Sequence, residues 1–555
     1  MHAATQTWNP APSATSKWYM RWMPSLTDLA FLLPAFFLFG RLSGTRILLG
    51  DGDTGWHIRT GEWILNHRAV PTEDFFSFTK PHQTWFAWEW GWDLLFAAIH
   101  KFWGLGGVAF VNVIVLGVVA VLLYKLVVRA AQNELIGFAV TVVAICGSSI
   151  HWLARPHLIS WIFFLTFLHL IQDAQAGNTK RLLWLPALML LWVNLHGGFF
   201  LGLVLLLSTA MGKAAEAFWI ESRSLFDSYR ACRGFLLSFV ACVAVTFVNP
   251  YTWHLHTHIF TYLTDHKLLD NIQEFQSTSF HSPAAIYFEV MLVLGCMAGV
   301  WLLQSGKLTQ ALYILCWIHL ALFSGRNIPF FVMIAAPAIA CLLQETLKRL
   351  RSARGIGDFA ATAEEICQEI RPFEKARRVH LASATGLILL AVLFASGQKG
   401  FEAEFNPESF PTQAVSIVRS SNARHILTYD QWGDYLIYQL YPSKQVFMDG
   451  RSDFYGYDHI SVGQNIIGAR YDWEKQLSRF AVDMVIVKPD APLSTVLKSS
   501  PEWKMLLDDG KALVFEATSV TRQIGCRHVE QSWPVLVSSP YLSLTKGEIN
   551  DQFNS

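Results

Sequence analysis

The chain has 555 residues, of which 52% are hydrophobic and only 15% charged, well below the roughly 25% charged of an ordinary soluble domain. That excludes a disordered chain and argues against a plain soluble enzyme. Forty-three Lys and Arg against 42 Asp and Glu leave a formal charge of +1, so there is no global basic field to hold nucleic acid by counterion release.

Apolar stretches of the roughly 20 residues that cross a bilayer recur up to about position 397 and then stop. They predict eleven spans, at 27–48, 106–127, 134–153, 157–172, 182–197, 198–213, 232–249, 283–303, 308–324, 327–345 and 379–397. The stretch 86–103, FAWEWGWDLLFAAIHKFW, is set aside. Glu89, Asp93, His100 and Lys101 among its Trp and Phe rings are the makeup of a helix lying in the membrane interface.

Charge placement gives the orientation, because cytoplasmic loops are enriched in Lys and Arg. The segment 346–378, with Lys348, Arg349, Arg351, Arg354, Arg371, Lys375, Arg377 and Arg378, belongs inside. So do the loops with Lys125 and Arg129, with Lys180 and Arg181, and with Lys213, Arg223, Arg230 and Arg233. The amino terminus 1–26, with Lys17 and Arg21, joins them only if 86–103 does not cross, which makes 49–105 one long exterior loop. The first span has a basic flank but no clean small-residue cleavage site, and reads as an uncleaved anchor.

Everything after 397 is then exterior. Residues 400–520 alternate short β-rich pieces (HILTY at 425, KQVFMD at 444, VDMVIV at 482, WKMLL at 503, ALVFEA at 512) with helices expected near 432–441, 472–480 and 492–499. This is the pattern of a small α/β domain. Residues 521–555 show no strong periodicity. The predicted fold class is therefore an all-α polytopic membrane domain over 27–397 followed by a small exterior α/β domain. Of the eight cysteines only Cys526 falls outside, so no exterior disulfide framework forms within one chain. No CxxC or HExxH pattern marks a metal site.

This topology collects unusual polar residues at the outer face: Asp51 and Asp53 in DGDTGWH, Arg155 and His157 in ARPHL, Asn194 and His196 in VNLHGG, His254, His256 and His258 in NPYTWHLHTHIF, and Arg326 in SGRNIPFF. Ionisable groups at the membrane boundary are functional candidates. Each also has an ordinary reading. Asp51 and Asp53 also fit a solvated helix flank, and Arg41 and Arg46 snorkel to headgroups. HGG suits a close-packing turn. The three alternating histidines would face one way on a strand, as zinc ligands do, although interfacial or hydrogen-bonded histidines account for them more simply. Asp449, Arg451 and Asp453 in DGRSDFYG fit a turn that docks the tail on the membrane unit, or an acceptor contact.

The run DGDTGWHIRTGEWILNHRAVPTEDFFSFTKPHQTWFAWEWGWDLLFA resembles the first exterior loop of a group of bacterial multi-spanning proteins related to the GT-C fold glycosyltransferases. ARPHLIS, WVNLHGGFFLGL, NPYTWHL and RNIPFFVM resemble later segments of that group in the same order, and TYDQWGDYLIYQLYPSKQVFMDGRSDFYG with RFAVDMVIVKP resembles its exterior C-terminal domain. The resemblance covers most of 27–517. GT-C enzymes, among them protein mannosyltransferases and aminoarabinose transferases, carry an acidic residue in the first exterior loop, with helices lying along the membrane.

The resemblance implies a sugar donor on a polyprenyl phosphate, surrounding membrane lipids, an acceptor the sequence does not name, and a location in the inner membrane of a bacterium. It implies Asp53 or Asp51 as the catalytic carboxylate, although Asp53 is followed by Thr54 and Gly55, a departure from the Asp-Glu pair common in that fold. Substrate-binding candidates are His57, Glu89, Arg155, His157, Asn194, His196 and Arg326, with Arg155 and Arg326 facing the leaving phosphate. The need for a divalent metal is left open. Two other readings use the same cavity: a non-catalytic carrier or transporter, and an assembly subunit for lipid-linked glycans.

Overall fold

A computed structural model of the chain describes residues 22–282, 285–351, 356–375, 379–398 and 400–518. Lys17, Arg21, Arg354, Arg377, Arg378, Cys526 and the irregular tail 521–555 lie outside the described residues.

The first helix, Leu26–Gly40, starts at a capping box in which Ser25 Oγ accepts from the Asp28 N–H and Asp28 Oδ2 accepts from the Ser25 N–H. It ends at Gly40, so the predicted span 27–48 is too long; a short turn leads to a separate four-residue helix, Thr45–Leu48. The helix Asp53–His67 follows. Residues 90–103 and the span after them form one 42-residue helical run, Trp90–Ala131, broken by Gly104 at φ 61° and ψ −161°, while 86–89 are not helical. Glycine permits that angle without steric cost, so the chain changes direction where the predicted interfacial segment meets the predicted span.

Seven helical stretches among the described residues are long and apolar enough to cross a membrane: Trp90–Ala131, Glu134–His151, His157–Gln175, Gly197–Ile220, Leu225–Val245, Ala285–Gln304 and Gly325–Leu350. Three shorter apolar helices, Leu26–Gly40, Leu308–Phe323 and Leu381–Ser396, accompany them. The segment predicted as a span at 182–197 is divided into a 3₁₀ stretch Thr179–Trp184 and a nine-residue helix Leu185–Val193, which rises only about 14 Å. Basic segment 346–378 contains the helix Ile356–Lys375. The apolar helices share one large buried core, in which Trp92, Trp161, Trp192 and Trp317 are almost fully enclosed.

The tail forms a five-stranded sheet of β1 (His425–Leu427), β2 (Gln445–Val446), β3 (Met484–Val487), β4 (Trp503–Asp508) and β5 (Leu513–Ala517), in the order β2-β1-β3-β5-β4. β1 runs parallel to β2 and β3, with Ile426 opposite Val446 on one side and Met484 on the other. β5 is antiparallel to both β3 and β4. All four residues of β3 are buried, as expected for a central strand covered on both faces. Helices Asp430–Leu440, Trp473–Arg479 and Pro492–Ser499 fall where the sequence places them. Ala414–Ser420 and Ser452–Ile467 are additional.

The tail is packed into the first loop rather than hung beside it. Val446 exchanges backbone hydrogen bonds with Phe76 and Phe78, each 3.3 Å, so loop residues 76–78 cover the edge strand β2. Trp56, Phe76, Trp85 and Ala87 of the loop lie in the same buried cluster as the sheet. Val70, Leu105 and Tyr438 pack against both this cluster and the core of the apolar helices.

Candidate functional site

Asp51 and Asp53 flank Gly52 at the start of the helix Asp53–His67. The Asp53 N–H donates to Asp51 Oδ1 at 2.9 Å, so Asp51 satisfies one of the helix's open amides, and both carboxylates sit at the positive end of its dipole. Thr54 Oγ1 donates to the Ala154 carbonyl at 2.9 Å, and the Ala154 N–H to the Leu48 carbonyl at 2.8 Å. These bonds pin the turn before His157–Gln175 against the loop and deliver Arg155 to the two carboxylates.

Arg155 meets three acids. Its guanidinium lies 3.0 Å from Asp51 Oδ2, 2.6 Å from Asp53 Oδ2 and 2.5 Å from Glu274 Oε1. Glu274 comes from the 3₁₀ turn Gln273–Phe275, and its other oxygen is 3.4 Å from Arg326 Nε. Arg326, from the turn Gly325–Asn327, also lies over the Phe275 ring at 4.8 Å. Four segments far apart in sequence thus converge on one charged cluster, with Arg326 and Glu274 its most open members at 27% and 23% exposure.

Beside it runs a second chain of ionisable groups. His57 Nδ1 is 2.6 Å from Asp93 Oδ1, and its Nε2 is 3.6 Å from Glu89 Oε2. Glu89 Oε1 is 3.4 Å from His196 Nε2. His196 Nδ1 accepts from the Gly198 N–H at 2.9 Å, which puts the ring proton on Nε2, facing Glu89. Ser160 Oγ sits between His196 Nδ1 and the Trp192 indole N–H.

The electrostatics separate these acids. Burial pushes the Asp53 carboxyl up to about 7, with Asp51 and Glu274 adding to the rise and Arg155 opposing it. Glu89 is pushed up to about 8, again chiefly by burial. Burial also raises Glu274, but Arg155 and Arg326 outweigh it and hold the carboxyl at about 2. Burial keeps His57 and His196 well below the usual imidazole range, with Arg155 adding to it for His57 and Arg326 and Arg155 for His196, so both are neutral at pH 7.

The tail supplies the remaining wall. Gln431 Oε1 accepts from the Gly52 N–H at 2.8 Å, and Asp434, fully buried, accepts from the Gly450 N–H at 2.8 Å. Arg451, 1% exposed, bridges Asp449 at 2.6 Å and Asp74 of the first loop at 2.7 Å, and lies over the Trp85 ring at 4.5 Å. Asp453 meets His258 at 2.9 Å. DGRSDFYG is therefore the clasp between tail and loop.

Of the residues singled out in the sequence, Asp51, Asp53 and Arg155 meet directly, Arg326 joins them through Glu274, and His57, Glu89 and His196 adjoin them. His157 and Asn194 are committed elsewhere. His157 Nε2 bonds the His151 carbonyl at 2.9 Å. Asn194 accepts from the Trp90 indole N–H and donates to the Leu190 and Val248 carbonyls. The strand alternative for His254, His256 and His258 is not realised: they lie on a helix, Trp253–Thr264, whose 3.6-residue period turns His256 away from His254 and His258. His256 bonds Thr246 and His258 bonds Asp453. Among the described residues no group of three His, Cys, Asp or Glu is arranged to hold a metal ion; the acids at this site converge on a guanidinium. Glu274 and Asp434 were not anticipated. An acid in the exterior loop before the span at 283–303 was the only signal for Glu274, and nothing local marks Asp434.

No family model and no curated protein matches the chain. Solved structures do. The apo oligosaccharyltransferase of Archaeoglobus fulgidus superposes with a TM-score of 0.53 at 11% identity, over 85% of this chain and 70% of that one. The AglB oligosaccharyltransferase of the same organism, in complex with an inhibitory peptide and a dolichol-phosphate, gives 0.54 at 10% identity over 92% and 75%. Apo ArnT from Cupriavidus metallidurans gives 0.47 at 13% identity over 89% and 98%. The chain is a multi-pass membrane protein of GT-C-like fold with a small C-terminal sheet domain. At these identities the likeness is one of fold, and the chemistry has to come from the site.

Proposed function

We propose that the protein is an integral-membrane glycosyltransferase that moves a sugar from a polyprenyl-phosphate donor to an acceptor hydroxyl, with Asp53 as general base and Asp51 beside it. The observation that carries this reading is the meeting of Asp51, Asp53 and Glu274 on Arg155, at the junction of apolar helices and tail in a GT-C-like fold. AglB in complex with a dolichol-phosphate supports a lipid-phosphate donor for a fold of this kind. In this reading residues 27–397 hold the lipid and the site, and 400–520 form an exterior domain that closes it, at the outer face of a bacterial inner membrane.

The acceptor hydroxyl gives its proton to Asp53 as its oxygen attacks the anomeric carbon, inverting it. The bond from that carbon to the phosphate oxygen breaks, and the lipid phosphate leaves with the electron pair. A carboxyl near 7 is matched to this task, since a base works best with a pKa close to the ambient pH. Proton uptake also weakens the ion pair between Asp53 and Arg155, which turns positive charge toward the departing phosphate as its own charge grows. Arg326, 3.4 Å from Glu274 and over the Phe275 ring, is the second cation for it. Glu89 and His196 line the sugar side. A hydrolase would use two opposed carboxylates, whereas Asp51 and Asp53 flank one glycine and meet the same guanidinium.

The test is purified full-length protein offered a panel of radiolabelled polyprenyl-phosphate sugars, with Asp53→Asn and Asp51→Asn compared for donor binding and sugar transfer. Loss of about 10² to 10⁴ in rate by Asp53→Asn, with donor binding retained, is expected. Full activity in Asp53→Asn overturns the assignment of the base. Absence of donor binding and transfer by the unaltered protein across the panel overturns the transferase reading.

A further inference from the structure

Two carboxylate oxygens face each other across the boundary between the first loop and the tail. Asp53 Oδ1 and Asp434 Oδ2 are both buried, and neither has a hydrogen-bond partner of ordinary geometry. Every other oxygen of the two groups is accounted for: Asp53 Oδ2 by Arg155 at 2.6 Å, and Asp434 Oδ1 by the Gly450 N–H at 2.8 Å. Both orphaned oxygens crowd the place where a side chain at Gly450 would begin. A Cβ at Gly450 would stand 2.2 Å from Asp53 Oδ1 and 2.7 Å from Asp434 Oδ2, so glycine is required for the two acids to approach.

We propose that Asp434 is a neutral carboxylic acid that donates its proton to Asp53 Oδ1, making the tail domain a positioning element for the base assigned under the transferase reading. Two ionised carboxylates cannot occupy this place together, because burial and like charge both oppose it. The surroundings offer no relief. Asp53 is faced by Asp51, Glu274 and Glu89 and by the Arg155 cation, and Asp434 by Asp430, Asp449 and Asp53. Arg155 already serves three carboxylates. Burial first, then Asp53 and Asp449, push the Asp434 carboxyl well above the ordinary carboxylate range. One proton on Asp434 Oδ2 satisfies both orphaned oxygens at once. It leaves Asp53 ionised, with Arg155 on one oxygen and a donor on the other, so that the carboxylate is fixed in orientation before substrate arrives.

Infrared spectroscopy of the full chain in lipid nanodiscs tests this without any substrate, so its outcome is separate from that of the transferase reading. A protonated carboxylic acid has a C=O stretch that an ionised carboxylate lacks. At neutral pH the spectrum of the unaltered protein minus that of Asp434→Asn is expected to contain one such band. No acid band lost on that substitution means Asp434 is ionised and overturns the proposal. Should Asp434→Asn not give folded protein, Asp53→Asn decides from the other end. Replacing an anionic acceptor by an amide weakens the hydrogen bond and moves the Asp434 band to higher frequency, and an unmoved band overturns the proposal. With transfer measured, Asp434→Leu is expected to shift the acidic limb of the rate profile alkaline by about one unit, because the donor to ionised Asp53 is lost. Asp434→Asn, which keeps a donor, restores it. An acid-going shift in Asp434→Asn shows that a negative charge has been removed, and counts against the neutral acid.

Discussion

Replacing Arg155 by Met removes the cation on which Asp51, Asp53 and Glu274 converge. Its worth follows from Glu274, whose carboxyl is held at about 2 against an ordinary 4.5; a depression of that size corresponds to on the order of 3 kcal/mol of stability at neutral pH. Breaking a buried ion pair by deleting one partner generally costs about 3–5 kcal/mol, which agrees. The pH dependence is the sharper signature. A depressed carboxyl contributes fully above its unfolded value and loses that contribution as pH falls through about 2. Asp53 acts in the opposite sense: its raised carboxyl makes the native state less stable as pH rises from about 4 to about 7, and without the guanidinium that penalty grows. Both trends enlarge the deficit of Arg155→Met from acid to neutral solution, from on the order of 1 kcal/mol near pH 3 to about 3 or more near pH 7. Thermal unfolding of the full chain in detergent measures this, with Arg155→Lys intermediate because an ammonium cannot span three carboxylates. A deficit that is absent, or constant across that range, refutes the claim that Arg155 holds these acids.

Transfer should rise with pH as Asp53 ionises, with a limb near 7 and a roughly tenfold loss per unit below it, read from the pH profile of kcat/KM for the donor. Gly450→Ala drives a methyl into Asp53 Oδ1 and Asp434 Oδ2. It should lower transfer at least as far as Asp53→Asn does, while the apolar helices stay folded by circular dichroism. Arg451→Met leaves Asp74 and Asp449 buried without their shared cation and should loosen the clasp by about 3–5 kcal/mol, seen as faster proteolysis between the apolar helices and the tail.

Hydropathy made most of the helices legible because crossing a bilayer imposes length and composition together. It failed where other forces set the boundary. The first helix stops at Gly40 although apolar residues continue to Leu49, and 182–197 splits because Pro186 lies at the start of the helix Leu185–Val193. The five strands of the tail were readable from short β-branched and aromatic runs. Ser452–Ile467 was not, since glycines at 456 and 463 hide its period, and DGRSD looks like a turn. At the site, the acid-glycine-acid run and ARPH stood out as polar residues at helix ends. Glu274 sits in a polar loop, where an acid attracts no notice. Asp434 reads as one of four Asp and Gln positions on an amphipathic helix, and only the long-range meeting with Asp53 gives it meaning. The histidine alternation at 254–258 carries no strand, because a period of two is a strand signal only where the backbone is extended, and His256 and His258 are hydrogen-bonded as the simpler reading expects.

The joint packing of loop and tail has a consequence for how the protein is made. A chain emerges from its amino terminus, so Trp56, Phe76 and Trp85 are synthesised hundreds of residues before the sheet that buries them. Until the tail is made and folds, the first loop lacks its apolar cover, Asp74 lacks Arg451, and Asp53 lacks the wall formed by Asp434 and Gly450. A nascent or truncated chain can complete its apolar helices and still lack a finished site. Maturation is in effect timed by the tail domain, and a stop before the strand Leu513–Ala517 yields an incomplete product.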